Sequence, residues 1–223
     1  PATLHAALAR ETVHLRLMAG SCVLPLHHVL RIVEEWSMVD NLSGGRAGIS
    51  FAPGWNPADF ALAPDRYAGR QDELFRGIAE ARRLWRGEEI RVQGGDGREH
   101  GVRAYPTPVQ AELPLWITAA GNPRTFERAG EIGANLLTHL LDQDPDELAE
   151  KIARYRAARA KAGYDPAAGR VTVMLHTFVG ADAAAVVAKT RAPYTHYLRE
   201  NLHLLRGLGA SRGRDIDLAA LSE

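Results

Sequence analysis

Residues 115–147 read LWITAAGNPRTFERAGEIGANLLTHLLDQDPDE, and their punctuation decides the fold class. Leu115 to Ala119 is a short apolar run of the length of a buried strand. Gly121 then allows a tight turn, and Asn122-Pro123 supplies an N-cap residue with proline at the first helical position. That helix should run to about Ile132, before Gly133. Asn135 to His139 forms the next strand. Asp144-Pro145-Asp146-Glu147 has capping-box spacing ahead of Leu148, Ile152 and Tyr155, in a helix that stops near Gly163. Strand, helix, strand, helix at this spacing is the unit of a parallel sheet with right-handed crossovers.

The same unit recurs on both sides. Upstream, Val13, Leu15 and Leu17 alternate with His14 and Arg16 before Ala19–Leu24, predicting a first strand. Val29, Ile32, Val33, Trp36, Val39 and Leu42 follow at helical spacing, and Gly44-Gly45 end that helix. Gly48 to Ala52 is a second strand, followed by the loop Pro53-Gly54-Trp55-Asn56-Pro57 and a helix presenting Phe75, Ile78, Arg82 and Trp85. Residues 89–114, with a glycine-rich turn and three prolines, read as a β-hairpin excursion with an extended return. Downstream, Val171 to Val179 is a fifth strand, and Asp182 opens a helix that Pro193 is expected to interrupt or restart. Beyond His203 the periodicity fades. Five strands separated by helices fit either a barrel or an open doubly wound sheet, and periodicity does not choose between them.

Composition narrows the function classes. The 223 residues are 46% hydrophobic and 24% charged, as in one ordinary globular domain. Lys plus Arg equals Asp plus Glu at 27 each, so no net field draws the chain to nucleic acid or to an anionic membrane. Small-molecule binding is the better default. No apolar run reaches the roughly 20 residues of a membrane span, and a cytoplasmic location is expected. Cys22 is the single cysteine, which excludes an intrachain disulfide and a cysteine-rich zinc site, and its apolar neighbours mark it as a small buried hydrophobe.

In either architecture the ligand site forms at the carboxyl ends of the strands. Those loops carry His27-His28, Pro53 to Asn56, Gly121-Asn122 and His139, while His176 is expected inside the fifth strand. Gly121-Asn122-Pro123-Arg124-Thr125 joins a turn to a helix start, where N–H groups and the helix dipole favour a phosphate; a capped helix with no ligand has the same pattern. Four histidines near strand ends raise the alternative of a metal-dependent barrel hydrolase. The chain has no HExxH and no His-x-His on a strand, and adjacent His27-His28 project to different sides. Trp36 and Trp85 fall on apolar helix faces and belong to the core, whereas Trp55 follows a Pro-Gly turn and suits either a flat wall for a cofactor or substrate or simple packing.

With these residues placed, the chain resembles the bacterial-luciferase-like flavin monooxygenases, and more narrowly those associated with natural-product assembly-line synthetases. The resemblance is carried by Val23 to His28 with Glu34-Glu35-Trp36, by Val39 to Arg46, by Ile49 to Trp55, by Trp116 to Phe126 and by Leu136 to His139. It implies a (β/α)8 TIM barrel of the luciferase-like type that is incomplete, with about five of eight strands present. Residues 1–223 would then form a single luciferase-like domain lacking N-terminal strands and the final strand, a fragment of the barrel. The histidine that serves the active site in related enzymes would precede Pro1, so no catalytic residue is assigned.

The resemblance further implies that Gly20 and Ser21 support the flavin, where relatives can have a non-proline cis peptide, and that Ala52 lines the ring pocket. Gly121, Asn122 and Thr125 match the phosphate-binding turn, and Trp55 and His139 face the substrate. Pro53 stands where bacterial luciferase has an arginine. The implied chemistry is activation of molecular oxygen by reduced FMN, supplied by a flavin reductase, to oxygenate a small organic or carrier-bound substrate. A homodimer is a further expectation. The rivals are a deazaflavin-dependent hydride-transfer oxidoreductase of the same superfamily, a metal-dependent barrel hydrolase and a noncatalytic flavin-binding protein.

Overall fold

The computed structural model describes residues 2–141 and 143–200. In chain order the elements are α1 (Ala2–Glu11), β1 (Leu17–Val23), α2 (Val29–Ser43), β2 (Ala47–Ala52), α3 (Arg70–Trp85), β3 (Ile90–Gln93), β4 (Glu99–Val102), β5 (Leu115–Thr118), α4 (Pro123–Glu131), β6 (Asn135–His139), α5 (Pro145–Lys161), β7 (Val171–Met174) and α6 (Ala183–Glu200). Short 3-10 turns cover Leu24–Leu26, Pro57–Leu62 and Pro64–Arg66. Five strands form one parallel sheet in the order β1-β2-β5-β6-β7. Neighbours in the sheet follow one another along the chain, as barrel winding requires.

The expectation of about five strands is corrected, because seven are present among the described residues. The excursion between α3 and β5 contributes β3 and β4 as a separate antiparallel pair, from Ile90 opposite Val102 to Gln93 opposite Glu99. This is the β-hairpin expected between residues 89 and 114; apart from buried Ile90 its residues are exposed or only partly buried, which sets the pair apart from the apolar central strands.

Packing follows the periodicity. Ile49, Phe51, Ile117 and Leu136 on the sheet are fully buried, together with Val33 and Trp36 of α2, Leu74, Ile78 and Trp85 of α3, Phe126 of α4 and Tyr155 of α5. Trp85 also donates its indole N–H to the Gln110 carbonyl at 2.8 Å, tying α3 to the return from the hairpin. Buried Asp40 accepts hydrogen bonds from the backbone N–H and side chain of the same Gln110, at 2.9 and 2.7 Å. The core expectations for Trp36, Trp85 and Cys22 hold.

Three boundaries differ from the sequence reading. β1 starts at Leu17 rather than Val13, and Val13 and Leu15 are exposed. The guanidinium of Arg46 accounts for this, since it donates to the carbonyls of Ala9, Thr12 and Leu15 and so satisfies backbone that a strand would otherwise pair. β7 ends at Met174, which leaves His176 outside the strand, its ring 5.4 Å from Tyr194 and 5.1 Å from Tyr197. α6 continues through Pro193 without interruption. The fading signal past His203 falls outside the described residues.

Candidate flavin site at the carboxyl ends of the strands

A half-open cavity of about 1120 Å³ lies at the carboxyl ends of β1, β2, β5 and β6. Each strand delivers a lining residue at or near its last position: Ser21 and Val23, Ala52, Thr118 and His139. The loop after β2 adds Pro53, Gly54 and Trp55, and the turn after β5 adds Gly121, Asn122 and Thr125. Seven of the expected residues, Ser21, Ala52, Trp55, Gly121, Asn122, Thr125 and His139, therefore meet around one space although they span more than half the chain. Gly20 is not among the lining residues; a Cβ there would meet a Leu137 methyl at 3.3 Å. The peptide between Gly20 and Ser21 is cis.

Two chemistries occupy different parts of the wall. Val23, Ala52, Pro53 and Trp55 are apolar, with Trp55 45% exposed toward solvent and therefore available to a ligand. On the sheet's inner face, the Thr118 hydroxyl bonds the Ser21 hydroxyl and lies 2.8 Å from that of Ser50, giving a short hydroxyl row. The start of α4 is built as the sequence indicates. The Asn122 side chain accepts the Arg124 N–H at 3.0 Å, and the Asn122 carbonyl accepts the Thr125 N–H at 3.0 Å. Two first-turn N–H groups are thus committed within the helix start, which leaves anion recognition to the Gly121-Asn122 backbone, the Thr125 hydroxyl and nearby cations.

Sequence reasoning missed those cations. Arg70, Lys151 and Arg154 line the cavity against two carboxylates, Glu147 and Glu150. Arg70 is held by the Gly54 carbonyl at 3.1 Å and the Tyr67 carbonyl at 2.9 Å, with its guanidinium 4.3 Å from the centre of the Tyr67 ring. Glu147, Glu150, Lys151 and Arg154 share a helical spacing on α5, and that periodic polar face was the signal available. The other histidines are elsewhere: His28 caps α2 through Nδ1, His27 precedes it, and His176 packs near α6. Among the described residues no group of three or more metal-ligating side chains converges, and no helix is long and apolar enough to cross a membrane.

The residues fit a flavin mononucleotide. The volume is at the upper end of small-molecule sites, the apolar wall suits a planar ring, and the cation-flanked turn suits a phosphate. Fold and cavity together define a parallel α/β-barrel protein with a cofactor-type site at the carboxyl ends of its strands. The family model described as luciferase-like monooxygenase matches residues 1–220, and the chain belongs to that family. It is 27% identical over 177 residues to the oxygenase component of the flavin-dependent trigonelline monooxygenase of Acinetobacter baylyi, an alignment covering 78% of this chain and 48% of that protein. Among solved structures it resembles monooxygenase RslO1 from Streptomyces bottropensis, with a TM-score of 0.78 and 24% identity over 95% of this chain and 64% of that one. It also resembles the oxygenating constituent of 3,6-diketocamphane monooxygenase from Pseudomonas putida in complex with FMN, with a TM-score of 0.76 and 18% identity over 96% and 65%.

The chain spans about half the length of the curated relatives it matches. The superposition corrects the expectation of about five strands. The luciferase-like α/β barrel fold, with seven strands, extends over nearly the whole chain.

Proposed function

We propose that this protein is the oxygenating component of a two-component, FMN-dependent monooxygenase. The observation that carries the reading is a cavity that joins an apolar wall to a phosphate-type turn at the strand ends of a luciferase-family chain. Reduced FMN, delivered by a separate reductase, would supply two electrons, so that one atom of O2 enters the substrate and the other leaves as water. The chain's own residues bind, orient and shield. Gly121, Asn122 and Thr125 hold the phosphate, Ser21 and Ala52 support the ring, and Trp55 and His139 face the substrate. The substrate is a small organic molecule or one tethered to a carrier protein of an assembly-line synthetase. The latter rests on the resemblance carried by Val23–His28 and Leu136–His139.

The test separates phosphate recognition from general damage. Losing one hydrogen bond to a charged group weakens binding by about tenfold to somewhat over a hundredfold. Thr125→Val should therefore weaken FMN by that factor and leave riboflavin, which has no phosphate, unchanged. Equal losses for both ligands would mean that the substitution damaged the fold, and no loss for either would place the phosphate elsewhere.

A further inference from the structure

We propose that Lys151 is the cation that neutralises the flavin phosphate, and that Gln143 holds it in place. The inference rests on the phosphate reading above and adds the charge that reading lacks. A phosphate monoester carries about −1.5 to −2 at neutral pH, and the start of α4 has already spent the Arg124 and Thr125 N–H groups on Asn122. A full positive charge is needed beside the turn.

Lys151 is placed to provide it. Its ammonium lies 3.4 Å from the carbonyl of Ala120, the residue immediately before Gly121, and 2.7 Å from Oε1 of Gln143. Gln143 is buried, and its Nε2 donates to Thr138 Oγ1 at 3.0 Å and to the His139 carbonyl at 2.6 Å. A relay thus runs from the end of β6 through Gln143 to Lys151 and on to the β5–α4 turn. It fixes a flexible side chain at one point of the cavity wall, lowering the entropy cost of presenting the charge to a ligand. Of the three cavity cations, Lys151 is the one held against the β5–α4 turn. Arg70 is tied to the Gly54 and Tyr67 carbonyls by the β2 loop, and Arg154 lies 3.5 Å from Glu127 with more than half of its side chain exposed.

The experiment titrates the protein with FMN and with riboflavin, by flavin fluorescence, at low and high salt. Lys151→Gln should lose about tenfold to a hundredfold in FMN affinity with riboflavin unchanged, and FMN binding should become less sensitive to salt. Lys151→Arg should retain the FMN preference. Gln143→Leu keeps the charge but frees it, and should lose several-fold for FMN alone. Parallel losses for both ligands in Lys151→Gln, or a Lys151→Gln protein that keeps its FMN preference while Thr125→Val loses it, would overturn the assignment. A Gln143→Leu protein with unaltered FMN affinity would overturn the relay. If the wild-type protein binds FMN no better than riboflavin, the phosphate reading falls and this inference falls with it.

Discussion

Gly130 and Gly77 both sit inside helices, and replacing each with alanine separates two opposed effects. Alanine gains about 0.8–1 kcal/mol of helix propensity over glycine. At Gly130 a Cβ would stand 2.4 Å from the Tyr155 carbonyl oxygen, 2.9 Å from Ala158 Cβ and 3.0 Å from the Arg159 amide nitrogen. Two of these are backbone atoms of α5, so relief requires α4 and α5 to move apart, disturbing the packing of Phe126 and Ala129 with Leu148 and Tyr155. Overpacking of this kind costs roughly 1–3 kcal/mol and sometimes more. At Gly77 the nearest atom, at 2.4 Å, is a terminal methyl of Leu24, which can rotate away. Gly130→Ala should therefore destabilise by up to about 2 kcal/mol net, lowering Tm by up to roughly 8 °C for a chain of this size, whereas Gly77→Ala should stay within about 1 kcal/mol of wild type. Thermal melts followed by circular dichroism decide the ranking. A Gly130→Ala protein melting at or above wild type, or a Gly77→Ala protein falling further, would refute the argument that backbone approach between α4 and α5 sets the cost. Because α4 carries Thr125 and α5 carries Lys151, the Gly130→Ala protein should also bind FMN more weakly.

Burial, reinforced by the Glu35 charge, pushes the Cys22 thiol up to about 12. At pH 8 only roughly one molecule in ten thousand would carry a thiolate, against about a quarter for an unfolded cysteine, so iodoacetamide followed by mass spectrometry should label the denatured protein rapidly and the native protein hardly at all. The Arg76 guanidinium hydrogen-bonds Glu73 at 2.5 Å and holds its carboxyl below the usual range. This stabilisation is fully present above the unfolded value of about 4.3 and is lost as pH falls through the depressed folded value. The pair is largely solvent-screened and contributes under about 1 kcal/mol; Glu73→Gln should lower Tm by at most a few degrees at pH 7 and by nothing near pH 2. An equal difference at both pH values would assign the effect to packing.

Much of the candidate site was legible because it sits where local signals are strong. A strand that must end and a helix that must start leave marks in the chain, and Gly121, Asn122 and Pro123 are such marks. Trp55 stood out for a similar reason, as a large aromatic beside a Pro-Gly turn with no helical face to join. Lys151 and Gln143 left no comparable mark. A lysine on an amphipathic helix looks like any solvated charge, and Gln143 is one polar residue in a loop. Their roles depend on α5 packing beside α4, which sets Lys151 against a turn thirty residues earlier in the chain. Val13 and Leu15 show the opposite failure, an alternation that looked like strand where a side chain 31 residues downstream of Leu15, Arg46, takes the backbone carbonyls.

By itself the sequence determined the alternation of strands and helices, since hydrophobic period, caps and glycine stops act over a few residues and need no distant partner. It also determined which helix faces carry the core, because Trp36, Ile78, Trp85 and Tyr155 recur at the period of a buried stripe. Only the tertiary structure decided the order of strands in the sheet and the convergence of Ser21, Ala52, Thr125 and His139 on one cavity. Strand order and convergence depend on which parallel strands pair across long crossovers, and that pairing is settled by burying both faces of the sheet at once, a condition no local stretch of sequence expresses.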